Sequence, residues 1–107
     1  MDPSLAAQGF AAMGAEPRLE VLRLLVRAGE AGLSVGEIRA RSGIAASTLA
    51  HHLRFLAAAE VVTQEKVGRS TICCANFEHL QSLAGFILSA CCQDAALPTA
   101  QKDAEND

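Results

Sequence analysis

Four cysteines stand as two adjacent pairs, Cys73-Cys74 and Cys91-Cys92. Thiolates bind soft ions such as trivalent arsenic, antimony, mercury, cadmium or lead, and oxidants convert them to disulfides or persulfides. Free cysteine is also among the most buried residue types, so core filling competes with chemistry. That competing reading weighs more on Cys73 and Cys74, in a β-branched run, than on Cys91 and Cys92, beside an acidic tail.

The separation of the pairs limits what one chain can do. Asn76 and Cys91 are 15 positions apart, and on one helix that is roughly 22 Å. A single chain cannot join the pairs. Two copies of this helix packed antiparallel across a two-fold axis would bring Cys73 or Cys74 of one to Cys91 or Cys92 of the other. Within a strand, residues 73 and 74 point to opposite faces, and within a helix 91 and 92 differ by about 100°, so the four thiols need not act together.

The elements that position these residues follow from local pattern. Leu5, Phe10 and Met13 among alanines give a short helix over residues 4–13, too weakly amphipathic to stand alone. Glu16-Pro17 opens a second helix carrying Leu19, Val21, Leu22, Leu24, Leu25 and Val26, closed by Gly29 and Gly32. Ser34-Val35-Gly36-Glu37 is a capping box for a third, ended at Gly43. Residues 46–58 make a fourth, with Leu49, Leu53, Leu56 and Ala57 inward and Ser47, Thr48, His51 and Arg54 elsewhere. Residues 61–67 and 70–74 are β-branched runs flanking Gly68-Arg69, which predicts a hairpin with Arg69 at its tip. Asn76 caps a last helix whose apolar stripe, Phe77, Leu80, Leu83, Ala84, Ile87, Leu88 and Cys91, is wider than one small core needs.

Two short helices joined by a glycine-containing turn, then a third element and a hairpin, form the order of a winged helix-turn-helix, a mainly α domain with a small β-hairpin. The 107-residue chain has room for one such domain, expected over residues 1–93, and an acidic disordered tail over residues 94–107. A net charge of −3 argues against nucleic acid until its distribution is read. The tail carries all of it, while residues 37–72 hold Arg39, Arg41, Arg54, Lys66 and Arg69 against Glu37, Glu60 and Glu65. Arg39 and Arg41 are as readily solvated surface charges as phosphate contacts. No glycine-rich phosphate loop, metalloprotease motif or nucleophile elbow is present, so an enzyme is not expected. The chain opens without a basic and apolar leader and has no membrane-length apolar run, which predicts a cytoplasmic protein with no membrane partner and reduced thiols.

The runs Glu16-Pro17-Arg18-Leu19-Glu20-Val21-Leu22-Arg23-Leu24-Leu25, Ser47-Thr48-Leu49-Ala50-His51-His52-Leu53-Arg54-Phe55-Leu56 and Val67-Gly68-Arg69 resemble the ArsR/SmtB family of metal-responsive repressors, over roughly residues 4–92. The resemblance implies double-stranded operator DNA as partner and a homodimer through the first and last helices. It implies contacts from Ser47 and Thr48 at the start of the recognition helix, from His51 and Arg54 further along, and from Arg69 on the wing. His52 is implied to support helix packing. Ala45, Ala46 and Ala50 replace residues that are commonly polar in the family, which leaves fewer side chains to read bases.

The family's Cys-x-Cys site before the recognition helix is missing, with Ser34 and Gly36 near its place, and His79 is the one histidine on the last helix, too few for its zinc site. Cysteine pairs at the terminal helix look like those of arsenical-sensing members. The resemblance therefore implies arsenite, methylarsenite or antimonite as inducer at Cys73, Cys74, Cys91 and Cys92, with no cofactor required for DNA binding. Mercury or cadmium, a redox or persulfide switch, and a winged-helix module for protein partners are the alternatives.

Overall fold

The computed structural model describes residues 1–95. Five helices and three strands follow in the order α1 (Pro3–Met13), α2 (Glu16–Ala28), β1 (Leu33–Ser34), α3 (Val35–Ser42), α4 (Ala46–Ala58), β2 (Val62–Val67), β3 (Ser70–Ala75) and α5 (Phe77–Leu88), with a 3-10 turn at Gly29–Ala31 after α2. This is the winged helix-turn-helix expected. The acidic tail lies, from residue 96 onward, outside the described residues.

Helix ends fall where side chains can take up free backbone groups. Asp2 caps α1 and Asn76 caps α5, each side chain accepting a backbone N–H of the first turn. Ser34 and Glu37 form both halves of the capping box that starts α3. One core holds Val21, Leu22 and Leu25 from α2, Ile38 from α3, Leu49, Leu53 and Leu56 from α4, and Leu83 from α5.

Three features depart from the sequence expectation. The hairpin is part of a three-stranded antiparallel sheet, order β1-β3-β2, because Leu33 and Ser34 pair with Cys73 and Ile72. Burial of Leu33 fixes that short strand against the centre of the sheet. The fully buried face of α1 is Ala6, Gly9 and Ala12, while of its bulky residues Met13 packs half-buried against the core and Phe10 stays exposed. A Cβ on Gly9 would lie 2.9 Å from Leu83 Cδ1, so small residues let α1 lie close on α5.

The third departure concerns the last helix, which stops at Leu88 and does not reach Cys91. The Ser89 hydroxyl donates to the Phe86 carbonyl at 2.9 Å, competing with the helical ladder. Beyond it the bonds are one residue shorter, Cys91 to Leu88 and Gln93 to Ala90, and Cys92 has φ 67. A left-handed residue of this kind ends a helix.

Candidate DNA interface and thiol site

Helix α4 buries Leu49, Leu53 and Leu56 and leaves Ser47, Thr48, His51 and Arg54 exposed. All four expected contact residues therefore share the accessible side of one helix. Arg69 is exposed at the β2–β3 turn, where Gly68 has φ 63. His52 is half-buried and its Nδ1 is enclosed without a hydrogen-bond partner. Burial, and then the charges of Arg18 and His51, hold its imidazole pKa below the ordinary value. That is the environment of a packing residue.

Two residues given no role of their own by sequence reasoning join this surface. Phe55 is 47 % exposed, yet the Arg18 guanidinium lies 4.9 Å above its ring and the His51 ring meets it edge-on at 4.9 Å. The available signal was a large aromatic on the polar side of an amphipathic helix.

The cysteines occupy three different environments. Cys73, on the core side of β3, is fully buried, and burial pushes its thiol pKa up while a Gln64 Nε2 donor at 3.5 Å partly offsets this. Cys74 is half-buried, and its Sγ donates to the Glu30 carbonyl at 3.5 Å. Cys91 and Cys92 are exposed in the turns after α5, with their sulfurs 3.3 Å apart. The pairs do not meet within one chain, and among the described residues no three His, Cys, Asp or Glu side chains are grouped to hold a metal ion.

Two exposed, adjacent thiols with sulfurs 3.3 Å apart can bind one soft ion together. Beside this pair, Ile87 and Leu88 are each 63 % exposed and Phe10 of α1 is 36 % exposed, so a single chain leaves part of the α5 stripe uncovered.

The exposed α4 and the hairpin beside it form the winged helix-turn-helix arrangement of DNA-binding proteins. Residues 14–65 match a helix-turn-helix domain family. The chain is similar to an ArsR-like transcriptional regulator from Rhodococcus sp. RHA1, at 28% identity over 89% of this chain and 96% of that one, with a TM-score of 0.70. It is similar to a possible transcriptional regulator for arsenical resistance, at 26% identity over 77% and 82% of the two chains, with a TM-score of 0.66. A homodimeric winged helix-turn-helix domain from Mycobacterium bovis shares the fold at 17% identity over 91% and 89%, with a TM-score of 0.66. No curated protein matches the chain. The chain is thus similar in sequence and fold to ArsR-type transcriptional regulators, and its fold is that of DNA-binding regulators. No described helix is long and apolar enough to cross a membrane.

Proposed function

We propose that the protein is a cytoplasmic repressor whose homodimer holds operator DNA through Ser47, Thr48, His51 and Arg54 of two recognition helices and Arg69 of two wings, and that a soft thiophilic ligand, trivalent arsenic foremost, releases it. The observation that carries the ligand reading is the exposed Cys91–Cys92 pair with sulfurs 3.3 Å apart. Two water-facing thiols at that spacing chelate an arsenic(III) centre by displacing two of its hydroxyls as water, one proton coming from each thiol. The similarity to a regulator named for arsenical resistance supports the same choice.

A dimer is supported by the uncovered Phe10, Ile87 and Leu88 on the first and last helices, and by the homodimeric neighbour of the same fold. In an antiparallel arrangement of α5 helices, the third sulfur comes from the Cys73–Cys74 end of the second copy. Cys74 is the more accessible of that pair, because Cys73 would have to leave the core. Ligand and DNA then oppose each other by linkage: the factor by which arsenic weakens DNA binding is the factor by which DNA weakens arsenic binding.

The test is a DNA-mobility titration of the reduced protein with arsenite, methylarsenite, mercury, cadmium, zinc and peroxide, repeated on Cys73→Ser, Cys74→Ser, Cys91→Ser and Cys92→Ser. Arsenite or methylarsenite should release DNA from the wild type, and Cys91→Ser or Cys92→Ser should abolish that release. An unchanged response in all four variants removes the thiol site. Release by peroxide alone replaces it with a redox switch.

A further inference from the structure

Arg18 lies on α2, yet its side chain leaves that helix. Its Nε donates to the Ala12 carbonyl at 2.7 Å and its terminal amino group donates to the Ala11 carbonyl at 3.4 Å. Both acceptors are in the last turn of α1, where the helix dipole favours a cation, and the Ala11 carbonyl also accepts the Gly14 N–H at 3.2 Å. α1 has no basic residue of its own in that turn. The other face of the same guanidinium covers the Phe55 ring of α4, and Phe55 in turn meets His51 edge-on, at 80° between the rings.

Apolar packing does not fill this junction. A groove of about 330 Å³ lies between α1 and α4, lined by Gln8, Ala11, Ala58 and Ala59 together with Arg18 and Phe55. The alanines are too short to close it, so the guanidinium spans the gap. We infer that Arg18 is a positioning residue for DNA recognition: it ties the end of α1 to Phe55 and thereby fixes the seat of His51 on the recognition helix without itself touching DNA. The inference rests on the operator-binding reading above. It gives the exposed Phe55 a role and makes the position of α1 a determinant of the DNA-reading surface.

The two ways in which an arginine serves DNA binding differ in salt dependence. A side chain that neutralises a phosphate contributes about 0.9 to the slope of log affinity against log salt, whereas a side chain that only positions another contributes none. Two residues acting through one contact also lose less together than the sum of their separate losses.

The experiment uses the full chain and a fluorescent duplex that the wild type has enriched from a random-sequence pool, with binding followed by anisotropy across a salt series. Arg18→Met keeps the aliphatic stem and removes the fork, and Phe55→Leu keeps apolar bulk and removes the flat ring. Each should weaken binding by about three- to ten-fold with an unchanged salt slope. The double variant should be no weaker than the poorer single one, and Arg18→Lys, which restores a cation over the ring, should recover part of the loss. If Arg18→Met does not fold, Phe55→Leu and Arg18→Lys carry the same comparison. Wild-type affinity in these variants, a slope shallower by about 1.8 for the two copies of the dimer, or additive losses would each overturn the inference. A wild-type chain that enriches no duplex overturns the operator reading instead, and the inference with it.

Discussion

Alanine at Gly32 and at Gly29 should destabilise the fold by clearly different amounts, although the two backbones are nearly alike. Gly29 has φ 73 and ψ −158, and Gly32 has φ 69 and ψ −168. This region is essentially confined to glycine, and an alanine held there costs about 1–3 kcal/mol at either position. The surroundings make the difference. A Cβ on Gly29 meets nothing within 4 Å, whereas one on Gly32 would fall inside the contact radius of the Cys73 carbonyl oxygen and 2.5 Å from Cys74 Sγ. Cys73 is on the central strand, paired to Leu33 on one side and Gln64 on the other, so its carbonyl cannot swing away. The clash must be relieved by pulling β1 off β3, which loses one or two ladder hydrogen bonds at about 1 kcal/mol each. Part of the burial of Leu33 goes with them, from a full value of about 1.5–3 kcal/mol. Gly32→Ala should therefore cost about 2–4 kcal/mol more than Gly29→Ala, a large share of the roughly 5–15 kcal/mol that holds a domain together. Urea unfolding followed by circular dichroism at one fixed protein concentration gives both values. Equal midpoints for the two variants would refute the reasoning, since the turn could not then be pressed against β3.

Maleimide should label Cys91 and Cys92 first, Cys74 more slowly and Cys73 only on unfolding; mass spectrometry that finds Cys73 labelled early contradicts its place in the core. His52 has its pKa held down by burial first and then by Arg18 and His51, so the stability it contributes is present above about pH 6.5 and is lost as pH falls through the lower folded value. Acid unfolding of His52→Gln should lack that part of the transition, and an identical acid limb disproves the assignment. Ser34→Ala should cost about 1 kcal/mol through loss of the cap. The Glu37 carboxyl is held below its ordinary pKa by hydrogen bonds with Ser34, so its contribution is present at neutral pH, fades as pH falls through the folded value, and should be missing at neutral pH in Glu37→Gln, as thermal melts across pH will show. Arg54→Ala and Arg69→Ala should each flatten the salt slope of DNA affinity by about 1.8 if the side chain meets a phosphate in both copies of the dimer, and an unchanged slope assigns it elsewhere.

Local chemistry made most of the fold legible before any coordinates. The Ser34–Glu37 box, the Asn76 cap and the Gly68-Arg69 turn are each decided by residues a few positions apart, and the structure places all three where the pattern did. What escaped depends on distant partners. β1 is only Leu33 and Ser34, too short to show a period, and exists because Cys73 and Ile72 lie beside it. The inner face of α1 is set by the room that Leu83 leaves, which no count of bulky residues in α1 reveals. Hydrophobic period alone carried α5 through to Cys91, but the Ser89 hydroxyl and the left-handed Cys92 stop it earlier. At the thiol site, strand alternation separates Cys73 from Cys74 without saying which one enters the core. Only the neighbours of β3 decide that.

In the proposed mechanism, release of DNA by a ligand at the thiols requires elements that move as units. Two routes are built of short, stiff contacts. From α5, Leu83 bears on Gly9 of α1, and the end of α1 is held by Arg18, which lies on Phe55 of α4. At its other end α5 follows directly from β3, the central strand of the sheet that carries Arg69 on the wing. A thiol-bound ion that draws the end of one α5 toward a second copy therefore acts on α1 and on the wing together. Coupling between two such sites is typically about 1–3 kcal/mol, a five- to 150-fold change in affinity. In the proposed homodimer a small shift of each recognition helix is doubled across the two-fold axis, so neither route has to unfold anything to produce it.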